Sequence, residues 1–275
     1  MPIIIISSDS VQAAEQIGRA TADAIGYKCL GPDILPEIAA RYNTPENKLV
    51  EALGKCNSAW RRIRTKRMAQ LLAYIEAEVL DRLKDDRMVC WCLAAHLYVQ
   101  GVSHALKVRV LADSEQQTER IASERGISPQ KAAKQIQNEL RKQEQWSLST
   151  FGQNEADPAM YDLVIKLGQI DPDEAVRTLT TAAGYRKFQP MTYSMKSLAE
   201  SALAARVKTK LLESMSDVRV QAHDGRVVVT SKALKRERQK KAAAIKELAG
   251  QVEGVEYVEV HLINYVIREA AESFR

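Results

Sequence analysis

Ser7, Ser8 and Ser10 stand in a short polar break, Ser7-Ser8-Asp9-Ser10, between four isoleucines and a helix-forming stretch. Ile3–Ile6 reads as a strand buried on both faces of a parallel sheet. From Val11 to Ile25 apolar residues recur at helical spacing (Ala14, Ile17, Ala20, Ala24), and Gly26 is placed to end the helix. A strand, tight turn and helix in this order aims unpaired N–H groups and the positive end of the helix dipole at the turn, which is the chemistry of phosphate binding. The three serines are therefore candidate phosphate contacts. A working phosphate loop also uses glycines, which let the backbone wrap the anion, and a lysine that reaches its outer oxygens. Here no glycine stands between Ile6 and Gly18, and no lysine precedes Lys28. The turn has the geometry of an anion site without most of its usual chemistry.

Other chemistries find little support. There is no Ser/His/Asp arrangement, no HExxH and no paired carboxylates at catalytic spacing. His96 and His104 lie on or beside apolar elements and read as packed core histidines, and His223 and His261 fall at strand ends without a role. Cys29, Cys56, Cys90 and Cys92, in a chain with no export signal, read as free thiols. Cys90 and Cys92, two apart in an apolar run, are expected on one side of a strand. No metal-ligating set emerges, since no histidine pair accompanies the cysteines.

A chain of 275 residues has core enough for one large domain or two smaller ones. With 45% hydrophobic and 27% charged residues it has ordinary globular composition. No apolar run approaches the roughly 18 residues of a membrane span, and a cytoplasmic location is expected. The net charge of +5 is mild, but the basic residues cluster. Arg61, Arg62, Arg64, Lys66 and Arg67 form either a solvated helix face or an anion-binding surface.

The elements alternate. After a Gly31-Pro32 turn and two short helices, Met68–Leu83 is helical with Leu72, Ile75, Val79 and Leu83 as its inward stripe. Strands are expected from Met88, at Lys107–Asp113 and at Tyr161–Ile165, separated by polar helices from Glu115 to Glu144. A break at Gly126-Ile127-Ser128-Pro129 divides those helices, and another helix runs from Asp171 to about Ala183. Strand–helix alternation over this length implies an α/β fold with a mostly parallel sheet and right-handed crossovers, with ligands beyond the strands' carboxyl ends. Residues 184–195 read as a linker. Beyond it the order helix, strand, Asp224-Gly225 hairpin, strand, basic helix, strand describes a small α+β module of the form α-β-β-α-β. In that module Lys232, Lys235, Arg236, Arg238, Lys240 and Lys241 crowd into ten residues.

Residues 1–183 resemble the cytidylate kinase-like family of P-loop proteins. The landmarks are the opening strand–turn–helix ending in Ala24-Ile25-Gly26-Tyr27, and His96 followed by Gly101-Val102-Ser103-His104. Lys107-Val108-Arg109-Val110-Leu111-Ala112-Asp113, Gly126-Ile127-Ser128, and Asp157-Pro158 with Tyr161-Asp162-Leu163-Val164-Ile165 follow in order. Residues 196–275 resemble a BON module, a small domain linked to phospholipid or partner binding. The expected architecture is thus a P-loop-type three-layer α/β domain (1–183), a linker (184–195) and the α+β module (196–275).

The first resemblance implies phosphoryl transfer from ATP with Mg2+ to a CMP-like acceptor, with Ser7, Ser8 and Ser10 holding phosphate and Arg120 and Arg141, on the polar helices, closing over it. Arginines there stabilise charge on the transferred group; as solvated helix charges they do nothing of the kind. The sequence departs from the family at the turn. Ser8 stands where arginine is expected, and Ala13 and Ala14 where glycines are expected. Asp9 brings a negative charge, costing roughly 1 to 4 kcal/mol at about 4 Å from a phosphate. Arg109 is expected in a structural ion pair. Two readings follow: a kinase-family member with weak or lost activity, a pseudokinase; or a binding or regulatory protein acting through its BON-like module on phospholipid or a protein partner. Aromatic residues are only 5% of the chain and few accompany the basic clusters, so nucleic acid stacking has little support.

Overall fold

The computed structural model describes residues 2–54 and 65–264. The isoleucine run forms the middle of a sheet. β1 (Ile3–Ser8) pairs in parallel with β3 (Met88–Trp91) on one side and β4 (Ala105–Leu111) on the other. β2 (Lys28–Leu30) flanks β3 and β5 (Leu163–Lys166) flanks β4, giving the order β2-β3-β1-β4-β5, all parallel. Ile3 to Ile6 are each fully buried. The period of two sends Ile4 and Ile6 to one face, with Ala14 and Ile17 of α1 (Val11–Ile25) and Leu179 of α8 (Pro172–Ala183). Ile3 and Ile5 go to the other, against Ile38 of α2 (Leu35–Arg41), Leu49 of α3 (Glu46–Gly54) and Ile75 of α4 (Thr65–Leu83). This is the expected three-layer α/β arrangement.

β1 runs two residues further than the isoleucines, so Ser7 and Ser8 are strand and only Asp9 and Ser10 form the turn. β2 lies just ahead of the Gly31-Pro32 turn, too short for a sequence period to reveal. β3 ends at Trp91, and Cys92, Leu93 and Ala94 all adopt left-handed φ of 56–58°. Cys90 and Cys92 are therefore not on one side of a strand. Cys29, Cys90 and Cys92 are free thiols; Cys56 lies outside the described residues, as do Arg61, Arg62 and Arg64. α5 (Ala95–Tyr98) is a single turn, and α6 (Ser114–Arg125) and α7 (Pro129–Phe151) form a hairpin capped at Gly126 and Ser128.

The second sheet has the order β6-β7-β8, from β6 (Val218–His223), β7 (Arg226–Ala233) and β8 (Tyr257–Asn264), with β6 antiparallel and β8 parallel to β7. Asp224 (φ 48°) and Gly225 (φ 71°) form the hairpin turn in the left-handed conformation that a two-residue loop requires. With α9 (Thr192–Ser214) and α10 (Arg238–Gly250) the element order is the expected α-β-β-α-β. α9 begins at Thr192, inside the stretch read as a linker. The helix serves both cores: Leu198, Ala202 and Ala205 pack under the large sheet, and Leu203, Val207 and Leu211 against the small one. Ser194 Oγ accepts the His104 backbone N–H at 3.1 Å, and Thr209 Oγ1 donates to the Ala73 carbonyl at 3.0 Å. No helix among the described residues is long and apolar enough to cross a membrane.

Trp91, at the end of β3, is wedged between Gly18 of α1 and Gly31, and a Cβ on Gly31 would overlap its ring at Cε2 and Cζ2. Trp91 is 4% exposed and has nowhere to go. Gly31→Ala is expected to lower stability by about 1–3 kcal/mol, read as a fall in the urea midpoint at unchanged slope.

Candidate functional site

A cleft of about 490 Å3 opens beyond the carboxyl ends of β1, β4 and β5, where an open parallel sheet places its ligands. One wall is the first turns of α1, with Ser10, Gln12, Ala13 and Gln16. The second is the junction of β4 and α6, with Ala112, Asp113, Gln116, Gln117 and Arg120. The third is the segment after β5, with Leu167, Gly168, Ile170 and Pro172. The third wall is partly apolar, and Ile170 is 38% exposed. A planar heterocycle can lie against it, with glutamine amides offering donors and acceptors to its edge.

The turn beneath this cleft is occupied by its own side chains. Ser10 caps α1 and its Oγ accepts the Ala13 N–H at 3.4 Å. Ser8 Oγ accepts the Ser10 N–H at 3.1 Å, and Asp9 Oδ1 accepts the Ala112 N–H at 2.8 Å. Two amides of the turn, those of Ser10 and Ala13, are thus already engaged. Asp9 is fixed to the wall itself, so its negative charge stays there. Ala14 is fully buried in the core, so of the two alanines only Ala13 meets the cleft.

Ser7 faces the other side of the sheet. Its Oγ accepts from Arg109 Nη1 at 2.7 Å, across the β1–β4 register that pairs these two residues. Arg109 thus holds a hydroxyl at hydrogen-bond distance rather than the expected carboxylate. Around it lies a buried polar group on β4, α5 and the chain leading to β5. His96 (3% exposed) sits 5.6 Å from the Tyr161 ring, with its Nε2 3.8 Å from Glu155 Oε2, while the Tyr161 hydroxyl donates to the Glu155 carbonyl at 2.7 Å. Burial lowers the His96 pKa from 6.5 to about 3 and raises that of Glu155 from 4.5 to about 7. Burial thus favours the uncharged form of each. His96 and His104 are the core histidines expected.

Of the residues singled out in the sequence, Ser10 and Arg120 share the cleft; Ser7 and Ser8 lie behind its floor. Arg120 Nη1 is paired with Glu124 at 2.8 Å on its own helix. Arg141, on α7, is exposed and does not line the cleft. Sequence reasoning missed the glutamines. Gln12 and Gln16, four apart in the first turns of α1, share a helix face, but nothing in the sequence shows which face meets α6. The acids beside the cleft serve as caps: Asp113 accepts the Glu115 and Gln116 N–H groups, and Asp171 accepts that of Glu174. With two of the turn's amides engaged, no lysine at the turn and these carboxylates committed to helix ends, the residues do not fit a magnesium-bound triphosphate.

The profile of the cytidylate kinase-like family matches residues 3–169. Among solved structures, an uncharacterized protein from Eubacterium ventriosum ATCC 27560 is 14% identical with a TM-score of 0.49, covering 68% of this chain and 100% of its own. Shikimate kinase from Bacteroides thetaiotaomicron is 11% identical with a TM-score of 0.41, covering 67% and 99%. Dephospho-CoA kinase from Campylobacter jejuni is 12% identical with a TM-score of 0.38, covering 66% and 96%. No curated protein matches the chain.

The buried pair makes stability depend on pH. A raised Glu155 pKa means that the native state binds more protons than the unfolded one between about pH 4.5 and 7, so this residue's contribution falls as pH rises through that window. The lowered His96 pKa acts oppositely between about 3 and 6.5. Glu155→Gln removes the first effect alone. The variant is expected to gain about 2–3 kcal/mol on wild type between pH 4.5 and 8, measured by urea unfolding across that range.

Proposed function

The chain belongs to the cytidylate kinase-like family, and on that premise we propose that it is a nucleotide-binding protein whose phosphoryl transfer is weak or lost. The nucleoside occupies the cleft between α1, α6 and the segment after β5. Its base lies against Leu167, Ile170 and Pro172, and the glutamine amides read its edge. Arg120 is the cation nearest to hand for a phosphate, and Arg141 would reach it only by movement of the α6–α7 hairpin. One observation carries this reading: Ser8, Asp9 and Ser10 take the N–H groups of Ser10, Ala112 and Ala13. Phosphate must displace two of these bonds to use the amides of Ser10 and Ala13. ATP with Mg2+ and a CMP-like acceptor would be the substrates of any residual transfer.

Calorimetric titration tests it. Adenosine and ATP with magnesium are expected to bind within about threefold of each other, because the phosphates gain little. A working loop adds several charge-assisted hydrogen bonds of about 1.5–3 kcal/mol each, so a preference for magnesium ATP of about a hundredfold or more, or CDP formed from CMP at the roughly 1–100 s−1 of a working kinase, overturns the proposal.

A second reading concerns residues 196–275, which we take as a BON-like module joined through 184–195 to the domain of 1–183. Its basic cluster is partly spent internally: Lys232 pairs with Asp217 at 3.4 Å, Lys241 Nζ donates to the Lys232 carbonyl at 2.6 Å and Arg238 to that of Leu262 at 2.6 Å. Lys235 and Lys240 remain exposed at the start of α10 with no acidic partner among the described residues. They favour an anionic surface such as phospholipid. Near such a surface each contributes about 1 kcal/mol, so Lys235→Glu with Lys240→Glu is expected to abolish sedimentation with phosphatidylserine vesicles at low salt. Equal sedimentation of wild type and variant sinks this reading.

A further inference from the structure

An open sheet ends in edge strands, and among the described residues all but one of them are protected by shortness, charge or a neighbour. β2 is Lys28–Leu30 and β5 ends in the exposed Lys166, while Val218 to Val220 of β6 border a concavity shared with α4 and α9. β8 is different. Tyr257–Asn264 contains no lysine, proline or glycine, and no strand flanks its outer side among the described residues. Its backbone direction is set by β7. The Tyr257 N–H donates to the Gly225 carbonyl at 3.3 Å, so Tyr257, Glu259 and His261 turn their peptide groups toward β7. Val258, Val260 and Leu262 must then turn theirs outward. Of these outward groups the Leu262 carbonyl accepts from Arg238, and its oxygen keeps a second lone pair.

β8 is complementary to its own reverse. Turned antiparallel about Val260, it sets Val260 against Val260, Val258 against Leu262 and Tyr257 against Ile263. The outward residues are the ones that exchange N–H···O bonds in this register. Glu259 falls opposite His261, so no like charges meet. Glu259 already pairs with Arg226 and His261 of its own chain, and a second imidazole opposite it extends an alternating row of charges. The apolar side chains agree. Tyr257 is 57% and Ile263 55% exposed on the outer face of the sheet, an aromatic and a β-branched residue of the kind that stabilise cross-strand pairs. On the inner face Val258, Val260 and Leu262 are only partly covered by the cluster that includes Ile245 and Ala249 of α10.

We propose that the chain forms a two-fold dimer by antiparallel pairing of β8 with β8 of a second copy, which joins the two small sheets into one continuous sheet. The sequence of the strand selects this occupant, because its apolar and charged positions match when one copy is reversed against the other. The seam is one strand wide, smaller than the roughly 1,200–2,000 Å2 of a standard interface. The dimer is therefore weak, half dissociated at about 10–100 µM. It depends on neither the nucleotide reading nor the phospholipid reading.

Sedimentation equilibrium of the full chain tests it, between about 5 and 500 µM. The wild type is expected to pass from monomer to dimer, and Val260→Pro to need at least about tenfold more protein. Proline removes the central outward N–H, which β7 does not use, so the variant keeps its own sheet. Disulfide trapping then fixes the register. Tyr257→Cys and Ile263→Cys, mixed as separate single variants and oxidised with copper phenanthroline, are expected to link position 257 to position 263. In the seam that pair is not hydrogen-bonded and its Cα atoms lie about 4.5 Å apart, within a disulfide's reach of roughly 4.4–6.8 Å. The trap needs no proline, so it decides the matter even where Val260→Pro fails to fold. A wild type that stays monomeric at about 500 µM overturns the proposal. Undiminished dimerisation of a folded Val260→Pro overturns it too, as does a dimer that links position 257 to itself or gives no 257–263 product.

Discussion

β1 has no side that meets water. Its four isoleucines are the seam of two separate apolar clusters, one on each face of the sheet. Each is worth about 1.5–3 kcal/mol of burial. The strand must therefore sit centrally, because an edge place would leave its backbone unpaired and part of that apolar surface bare. Central placement in turn fixes where the chain leaves the sheet, and the turn at Asp9-Ser10 necessarily opens at the carboxyl end between β3 and β4. The position of the cleft is a consequence of hydrophobic burial, and it survives whatever happens to the residues lining it.

That separation leaves the turn free to differ in character without disturbing the sheet. Glycine at a phosphate loop leaves amides bare, and only an anion satisfies them. Serine and aspartate bring their own oxygens. The turn is thereby completed in part by the chain itself. At Cys92-Leu93-Ala94 three residues with side chains hold left-handed backbone of a kind that costs roughly 1–2 kcal/mol per residue outside glycine.

The strands and helices of the α/β part were legible because buried parallel strands are apolar runs and their connecting helices carry caps. Ile3–Ile6, Lys107–Asp113, Ser128-Pro129 and Asp171-Pro172 each announce themselves locally. The hairpin at Asp224-Gly225 was equally plain, because two successive left-handed residues admit few sequences. Three residues of β2 carry no period. The departure of Cys92 from its strand was hidden, since nothing in Cys-Leu-Ala announces positive φ. The cleft was legible in place but not in chemistry. Which serine oxygen accepts which N–H, and which turn of α1 faces α6, are set by contacts between elements far apart in sequence. The Glu155–His96–Tyr161 group joins α5 to the segment between α7 and β5 for the same reason, and Tyr98 gave no hint that its hydroxyl would be left unpaired.

α9 is counted twice, once in each core. A helix with Leu198 in one cluster and Leu211 in the other cannot be released by one sheet without baring the other. Its anchors to His104 and Ala73 are buried as well. The stabilities of the two sheets are accordingly coupled through this helix. Anything that grips the small sheet adds to the thermodynamic depth of the large one, whichever molecule does the gripping.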